Sequence, residues 1–130
     1  MLTPHEGEFA RLGGTGAGDG ADEDRIEGVR ALAESTGAVV LLKGSTTLVA
    51  APGGEALVTT TGDARLATAG TGDVLTGVIG ALLASGVEPQ RAAAGGAFLH
   101  GWAGAVGSAH GLVASDLLDR LPLVIDLLQE

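Results

Sequence analysis

Cysteine is absent from the 130 residues, which excludes disulfides, thiol catalysis and zinc–thiolate sites. Basic residues are scarce: 7 Lys and Arg against 16 Asp and Glu leave a formal charge of −9. That excess offers no attractive field to phosphate backbones or anionic lipids, so neither nucleic acid nor a membrane surface is an expected partner. No apolar run is long enough to cross a bilayer; the best, Val74–Val87, falls short of the ~20 residues a span requires. Met1–Leu12 carries Glu6 and Glu8 and lacks a basic stretch followed by an apolar core, so it does not read as a signal peptide. A cytoplasmic location is the expectation. Aromatic residues number three and proline only 4, whereas glycine reaches 23 and apolar residues 45 %. This composition is glycine-rich but short of disorder, and the length suits one small globular unit.

Strand and helix signals alternate. The run Gly13-Gly14-Thr15-Gly16-Ala17-Gly18-Asp19-Gly20 has no periodicity and reads as a loop. Asp22 is placed to cap a helix in which Ile26, Val29, Leu32 and Ala33 recur at helical spacing and Gly37 is the stop. Ala38–Leu42 is a continuous apolar run, the pattern of a strand covered on both faces. Thr47–Ala50, Pro52-Gly53-Gly54 and Ala56–Thr60 predict an antiparallel hairpin. Two helices follow, from about Asp73 to Ser85 and from Pro89 to about Ala109. A last segment starts near Ser115-Asp116, and Pro122 is expected to split it into two short helices. Both long helices are rich in Gly and Ala. Each interior Gly costs roughly 0.8–1 kcal/mol relative to Ala, so close packing must offset the penalty. Only two residues precede the turn Thr3-Pro4-His5, which belongs at the carboxyl end of a strand, and the sheet is small for so many helices. The chain is therefore expected to be the C-terminal half of a larger domain.

The strongest chemical signal is Ala69-Gly70-Thr71-Gly72-Asp73-Val74-Leu75-Thr76-Gly77, a glycine-rich turn running into an apolar helix. Glycines let several amides aim at one point, and the helix N-terminus adds about half a positive charge there. Amides of Gly70, Thr71 and Gly72 would form an anion hole, with Asp73 able to take a hydroxyl proton beside it. The plainer reading, a turn at Gly72 and a helix cap at Asp73, carries equal weight on these residues alone. Lys43-Gly44 closes the buried strand, where open α/β sheets place ligand contacts, and Thr46 or Thr47 could add hydrogen bonds; a lysine simply marking a strand end is the competing reading. His5 lies in Thr3-Pro4-His5-Glu6-Gly7-Glu8, a turn stiffened by Pro4, and taken alone it reads as a surface residue. His100 and His110 read as structural and Trp102 as core. No G-x-x-x-x-G-K-[ST] occurs, and Gly16–Ala21 meets the loose G-x-G-x-x-A pattern without a preceding strand, so both familiar phosphate loops are set aside.

Taken together, Thr3-Pro4-His5-x-Gly7-Glu8, Lys43-Gly44-x-x-Thr47 and Ala67–Gly77 resemble the ADP/ATP-dependent NAD(P)H-hydrate dehydratases, with support from Leu99-His100-Gly101, Ala103-Gly104 and Ala114-Ser115-Asp116-Leu117. The resemblance covers nearly the whole chain. It implies a ribokinase-like α/β fold, a three-layer sandwich with a mostly parallel sheet and helices on both faces. It also implies nucleotide-dependent dehydration of the S-epimer of hydrated NADH or NADPH, by phosphorylation of the ring hydroxyl and loss of phosphate, with ADP the usual nucleotide in bacteria. Carried over by motif, Asp73 would be the base and, with His5, contact the hydrated substrate. Lys43, Gly44, Ser45, Thr46, Thr47 and Gly72 would hold ADP or ATP, and the amides of Gly70, Thr71 and Gly72 would stabilise the phosphoryl group. Mg²⁺ would arrive with the nucleotide rather than in a protein cage. A homo-oligomer, commonly a tetramer, is implied for the complete protein.

Departures are small at three places: Glu6 where Pro is frequent, Ala69 for Gly, and Gly62-Asp63 where Gly-Asn is common. Length departs more, since the family domain is about twice as long, so residues 1–130 are expected to be half of one domain. Two further readings stay open at this level. One is a small-molecule kinase of the vitamin or sugar type on the same fold, and the other is an inactive truncated fragment.

Overall fold

The computed structural model describes residues 1–16, 18, 21–108 and 110–129. Positions 17, 19 and 20 of the predicted Gly13–Gly20 loop, and Ala109 at the predicted end of the second long helix, lie outside the described residues. The elements run α1 (Glu6–Arg11), α2 (Asp22–Thr36), β1 (Val40–Leu42), β2 (Thr47–Ala50), β3 (Ala56–Thr59), a 3-10 turn (Ala64–Leu66), α3 (Thr71–Ala84), α4 (Pro89–Ala105) and α5 (Ala114–Gln129).

The strands form one sheet in the order β1-β2-β3, antiparallel throughout, with Val40 opposite Ala50, Leu41 opposite Val49 and Leu48 opposite Val58. The mostly parallel sheet that the resemblance implies is not what these strands make. The reason is connectivity: β1, β2 and β3 are joined by short links, and short links permit only antiparallel neighbours. The one segment that returns by a helical crossover is the first. Leu2 forms a parallel bridge to Val40 after α1 and α2 intervene, with Leu2 N donating to Val39 O at 2.8 Å and Leu41 N to Leu2 O at 2.8 Å.

Strand alternation divides the core between the two faces. Val40, Leu42, Leu48 and Ala50 pack with Phe9 of α1 and with Val29, Leu32 and Ala33 of α2. Leu41 and Val49 face the other way, onto Leu75 and Ile79 of α3 and Ala93 and Ala97 of α4. Helices therefore cover both faces of β1 and β2, as the unbroken apolar run Ala38–Leu42 predicted. A third cluster joins α4 to α5 through Ala103, Leu112, Leu117 and Val124.

Local expectations hold in part. Gly37 ends α2 in the left-handed conformation at φ 64°, but Ala21, not Asp22, is the residue before the helix, and it gives no side-chain cap. Asp22 instead sits in the first turn with Glu23 and Asp24, where the dipole favours anions. α4 ends at Ala105. Pro122 does not split the last segment: α5 is continuous, starts one residue before Ser115, and holds Pro122 inside it. Pro122 and Leu118 are exposed, so water can satisfy the carbonyl that loses its intrahelical donor. Asp116 accepts from Val113 N at 3.0 Å and closes the helix start.

Glycine in α4 answers to close approach, as expected, whereas in α3 it does not. A Cβ at Gly101 would fall 2.3 Å from Thr61 Oγ1 and 2.7 Å from Gly62 N. The segment after β3 thus crosses α4 at backbone contact, held by Thr61 Oγ1 donating to Phe98 O at 3.0 Å. At Gly77 and Gly80 of α3 a Cβ would meet nothing within 4 Å, and nothing in the packing explains either glycine. Gly80→Ala is accordingly expected to stabilise the intact protein by up to about 1 kcal/mol through helix propensity. Gly101→Ala is expected to destabilise it by about 1–3 kcal/mol through overpacking. Chemical unfolding of both variants checks the contrast, and a Gly101→Ala variant as stable as the parent would refute the contact.

Candidate active site

Two cavities meet at the N-terminus of α3. The larger, about 1180 Å³ of empty space, is lined by His5, Lys43, Gly44, Ser45, Thr47 and Gly72, with Asp63, Thr71 and His100 among its other walls. The smaller, about 950 Å³ and more open to solvent, takes in Pro4, Glu8, Arg11, Asp73 and Thr76. Lys43 and Gly72 line both and form the wall where they adjoin. The structure thus brings together most of the predicted residues but sorts them. His5 and the Lys43–Thr47 loop open on one side, and Asp73 on the other. Thr46 and Gly70 do not line either cavity among the described residues.

The first turn of α3 is built to leave amides free. Gly70 precedes the helix at φ 87°, a left-handed conformation that L side chains rarely adopt. Thr71 is buried, and its Oγ1 lies 2.6 Å from Leu66 O and 2.8 Å from Thr68 O, sharing one hydrogen between two carbonyls. Of the three predicted anion-binding amides, that of Thr71 donates to Thr68 O at 3.3 Å and so is engaged within the chain. The amides of Gly70 and Gly72 have no acceptor among the described residues. Asp73 is exposed in the same turn and its carboxylate makes no hydrogen bond or ion pair there. The helix dipole favours its anionic form.

Lys43 is the single lysine of the chain. It follows β1, where Lys43 N donates to Pro4 O at 2.9 Å, and its Nζ reaches the α3 terminus: a Cβ on Gly72 would lie 3.5 Å from it. Among the described residues Lys43 has no ion pair, whereas Arg25, Arg30 and Arg65 are paired with acids. An ammonium, the free amide of Gly72 and a helix N-terminus therefore converge on one wall, an arrangement that binds anions.

His5 has a second role that the sequence did not reveal. It is the N-cap of α1: its Nδ1 accepts from Glu8 N at 3.2 Å while Glu8 Oε2 accepts from His5 N at 2.9 Å. That reciprocal pair fixes the ring at the cavity edge and places the hydrogen of the neutral ring on Nε2. The bond from His5 N also holds the Glu8 carboxyl below the usual carboxylate range. Asp63, an acid on the larger cavity that would repel an anion, is engaged by Arg65, whose Nε donates to both of its oxygens at 2.9 and 3.0 Å. The guanidinium beside it keeps that carboxyl ionised to unusually low pH.

Sequence reasoning took His100 as structural, and the structure adds a place in the cavity wall. It is 6 % exposed, and Nε2 donates to Thr71 O at 2.8 Å across 29 positions of sequence. Burial pushes its pKa down, so the ring is neutral at pH 7. Arg11 in the smaller cavity was also missed, since a single arginine at a helix end carries no local signal. Trp102 sits half-buried against the third core cluster, edge-on to Phe98 with ring centres 5.7 Å apart, while His110 is exposed. Among the described residues no three His, Asp or Glu side chains gather into a metal cage, and no helix is long and apolar enough to cross a membrane.

Comparison with known proteins finds relatives in sequence and in fold. The sequence profile of the family described as NAD(P)H-hydrate dehydratase matches residues 1–124. A bifunctional NAD(P)H-hydrate repair enzyme of Moorella thermoacetica is 47 % identical over all of this chain, which spans 25 % of that protein's length. The crystal structure of an ADP/ATP-dependent NAD(P)H-hydrate dehydratase from Bacillus subtilis, co-crystallised with ATP/Mg²⁺, superposes with a TM-score of 0.84 at 36 % identity, over 97 % of this chain and 47 % of that one. A ribokinase-like superfamily protein from Enterococcus faecalis shares the fold, with a TM-score of 0.71 at 25 % identity over 96 % of this chain and 44 % of its own. The fold is thus α/β and ribokinase-like, and the chain spans less than half the length of each relative.

Removing the free ammonium tests the anion wall directly. Lys43→Gln is expected to weaken binding of inorganic pyrophosphate about tenfold or more, the loss of one hydrogen bond between charged groups. Calorimetry at low ionic strength measures it, and unchanged affinity would remove Lys43 from the site.

Proposed function

The chain belongs to the NAD(P)H-hydrate dehydratase family, and from that premise we propose that it carries the phosphoryl-transfer half of an enzyme that dehydrates the S-epimer of hydrated NADH or NADPH at the expense of ADP or ATP. Residues 1–130 would be the C-terminal half of one ribokinase-like, three-layer domain. The reading is supported above all by one observation: Lys43 and Gly72 form the common wall of two cavities, with the predicted nucleotide residues on one side and the unpaired Asp73 on the other.

On this reading the nucleotide lies in the larger cavity, its phosphates directed to that wall by Lys43 Nζ and by the amide of Gly72, with the predicted Gly70 amide set behind it. Gly44, Ser45 and Thr47 border its remainder, with Thr46 in the same loop. The hydroxyl of the hydrated nicotinamide ring enters from the smaller cavity beside Asp73. Asp73 accepts the hydroxyl proton as the oxygen attacks the terminal phosphorus, and the departing nucleotide oxygen leaves with the P–O electron pair. The phosphoryl group crosses at Gly72, where ammonium and amides are in place before charge develops, so little reorganisation opposes transfer. The ring phosphate would then leave with its C–O electron pair as the adjacent ring carbon gives up a proton, restoring the conjugated ring. His5, on the nucleotide side, would close the rim where the two ligands meet. Mg²⁺ would enter as a companion of the nucleotide rather than in a site of its own. When bound it would offset phosphate charge.

The family match favours this repair reaction over the small-molecule kinase on the same fold. A cytoplasmic location and a homo-oligomer accompany the reading.

Asp73→Asn in the intact protein is expected to lower turnover at least about a hundredfold, the usual contribution of a general base, while ADP affinity changes less than about threefold. Recovery of NAD(P)H absorbance from hydrated cofactor plus ADP measures the first and calorimetry the second. Retained turnover would end the proposed role of Asp73, and a phosphate ester accumulating without absorbance recovery would favour the kinase.

A further inference from the structure

The larger cavity has a polar wall residue for which phosphate binding has no use. His100 projects from α4 and is more than nine-tenths buried, and its Nε2 is 2.8 Å from Thr71 O. A carbonyl oxygen can only accept, so Nε2 carries the ring hydrogen. In a neutral imidazole that leaves Nδ1 with a lone pair and no hydrogen. Nδ1 has no protein partner among the described residues. It is not sealed in either, because the buried unpartnered side-chain nitrogens there are Arg25 Nε and Arg120 Nη1. The cavity that His100 lines is the space beside this accessible acceptor. Water satisfies such an acceptor in the empty site, and a ligand that displaces the water must supply a donor, which phosphate oxygens, largely unprotonated at neutral pH, do poorly.

We propose that His100 is a ligand-reading residue, presenting Nδ1 to a hydrogen-bond donor on the nucleoside part of the nucleotide: the adenine amino group or a ribose hydroxyl. The assignment rests on the larger cavity being the nucleotide site. Its geometry is set by the Thr71 bond, which fixes the ring's tautomer and orientation together. The same residue thus ties α4 to the first turn of α3 and reads what lies beside it. A site with an acceptor at this place discriminates against a ligand that lacks the donor, since the lone pair is then left without a partner.

The experiment measures binding of ADP, inosine diphosphate and 2′-deoxy-ADP to the intact parent protein and to His100→Gln by calorimetry. Glutamine can keep an N–H on Thr71 O but has no acceptor at the Nδ1 position. The parent is expected to bind one analogue about tenfold more weakly than ADP. Inosine diphosphate identifies the amino group and the deoxy analogue the hydroxyl. That gap should disappear in His100→Gln, with ADP affinity falling to the level of the analogue. A purely structural histidine would leave the gap intact in the variant, which overturns the assignment. Equal affinity of the parent for all three ligands overturns it without recourse to any variant. No binding of ADP to the parent overturns the nucleotide site itself, and the role of His100 with it.

Discussion

Everything at the site depends on the immobility of a single helical turn. Thr71 is clamped from two sides: its hydroxyl lies between the carbonyls of Leu66 and Thr68, and its own carbonyl takes the His100 ring. Gly70 delivers the chain to this point at φ 87°. The Gly72 amide and the Asp73 carboxylate inherit their directions from that clamp, and Lys43 Nζ approaches the same turn from the end of β1. Donors aimed at a developing charge help only if they need not reorient as it forms, and an exposed helix terminus would otherwise fray. The shared Thr71 hydroxyl bond and the His100 bond, each worth about 1 kcal/mol, therefore matter more for the positions they impose than for the stability they add.

An anion site in a chain of charge −9 looks paradoxical, and distance resolves it. Ionic screening at physiological salt reduces charges beyond roughly 8 Å to a weak background, so the nearest groups decide. Those groups are the Lys43 ammonium, the Gly72 amide and a helix terminus, set against the one carboxylate of Asp73 on the other side of Gly72. The acid that lines the larger cavity, Asp63, is spent on Arg65. Glu8, beside the smaller cavity, is spent on His5. Asp22, Glu23 and Asp24 lie in the exposed first turn of α2 and serve that helix's own dipole, while Glu27 of the same helix is paired with Arg30. The global field therefore slows the approach of an anion without cancelling its binding.

How much of this was legible in the sequence follows from the range of each interaction. The apolar run Ala38–Leu42, the Gly37 stop and the Pro52-Gly53-Gly54 turn act over a few residues and were readable as such. So was the passage from glycine turn to helix at Gly70–Asp73. The contact of His100 with Thr71 joins residues 29 apart and leaves no periodic trace, so His100 read as structural. The division of the site into two cavities is a matter of which way neighbouring residues of one turn face, and a motif lists them without direction. Helix α5 shows the opposite failure. Proline is a strong local signal, yet its cost depends on whether the orphaned carbonyl can reach water, and at Pro122 exposure lets it do so.

On the proposed function, the wall shared by Lys43 and Gly72 also explains why one phosphate device could serve either a kinase or a dehydratase. Transfer to a hydroxyl requires an acceptor for its proton, positive charge at the migrating group and two ligands held in line, and the residues around Gly72 provide for all three. Expulsion of the resulting phosphate requires something different: electrons pushed from the ring nitrogen of the hydrated cofactor, and loss of a proton from the ring carbon next to the one that loses phosphate. The push resides in the substrate, and the departing phosphate can take the proton. The smaller cavity accordingly offers one unpaired carboxylate, Asp73, and otherwise serves to hold the ring. Whether phosphate stays on or leaves would then be decided by what binds beside Asp73 rather than by the chemistry of the wall.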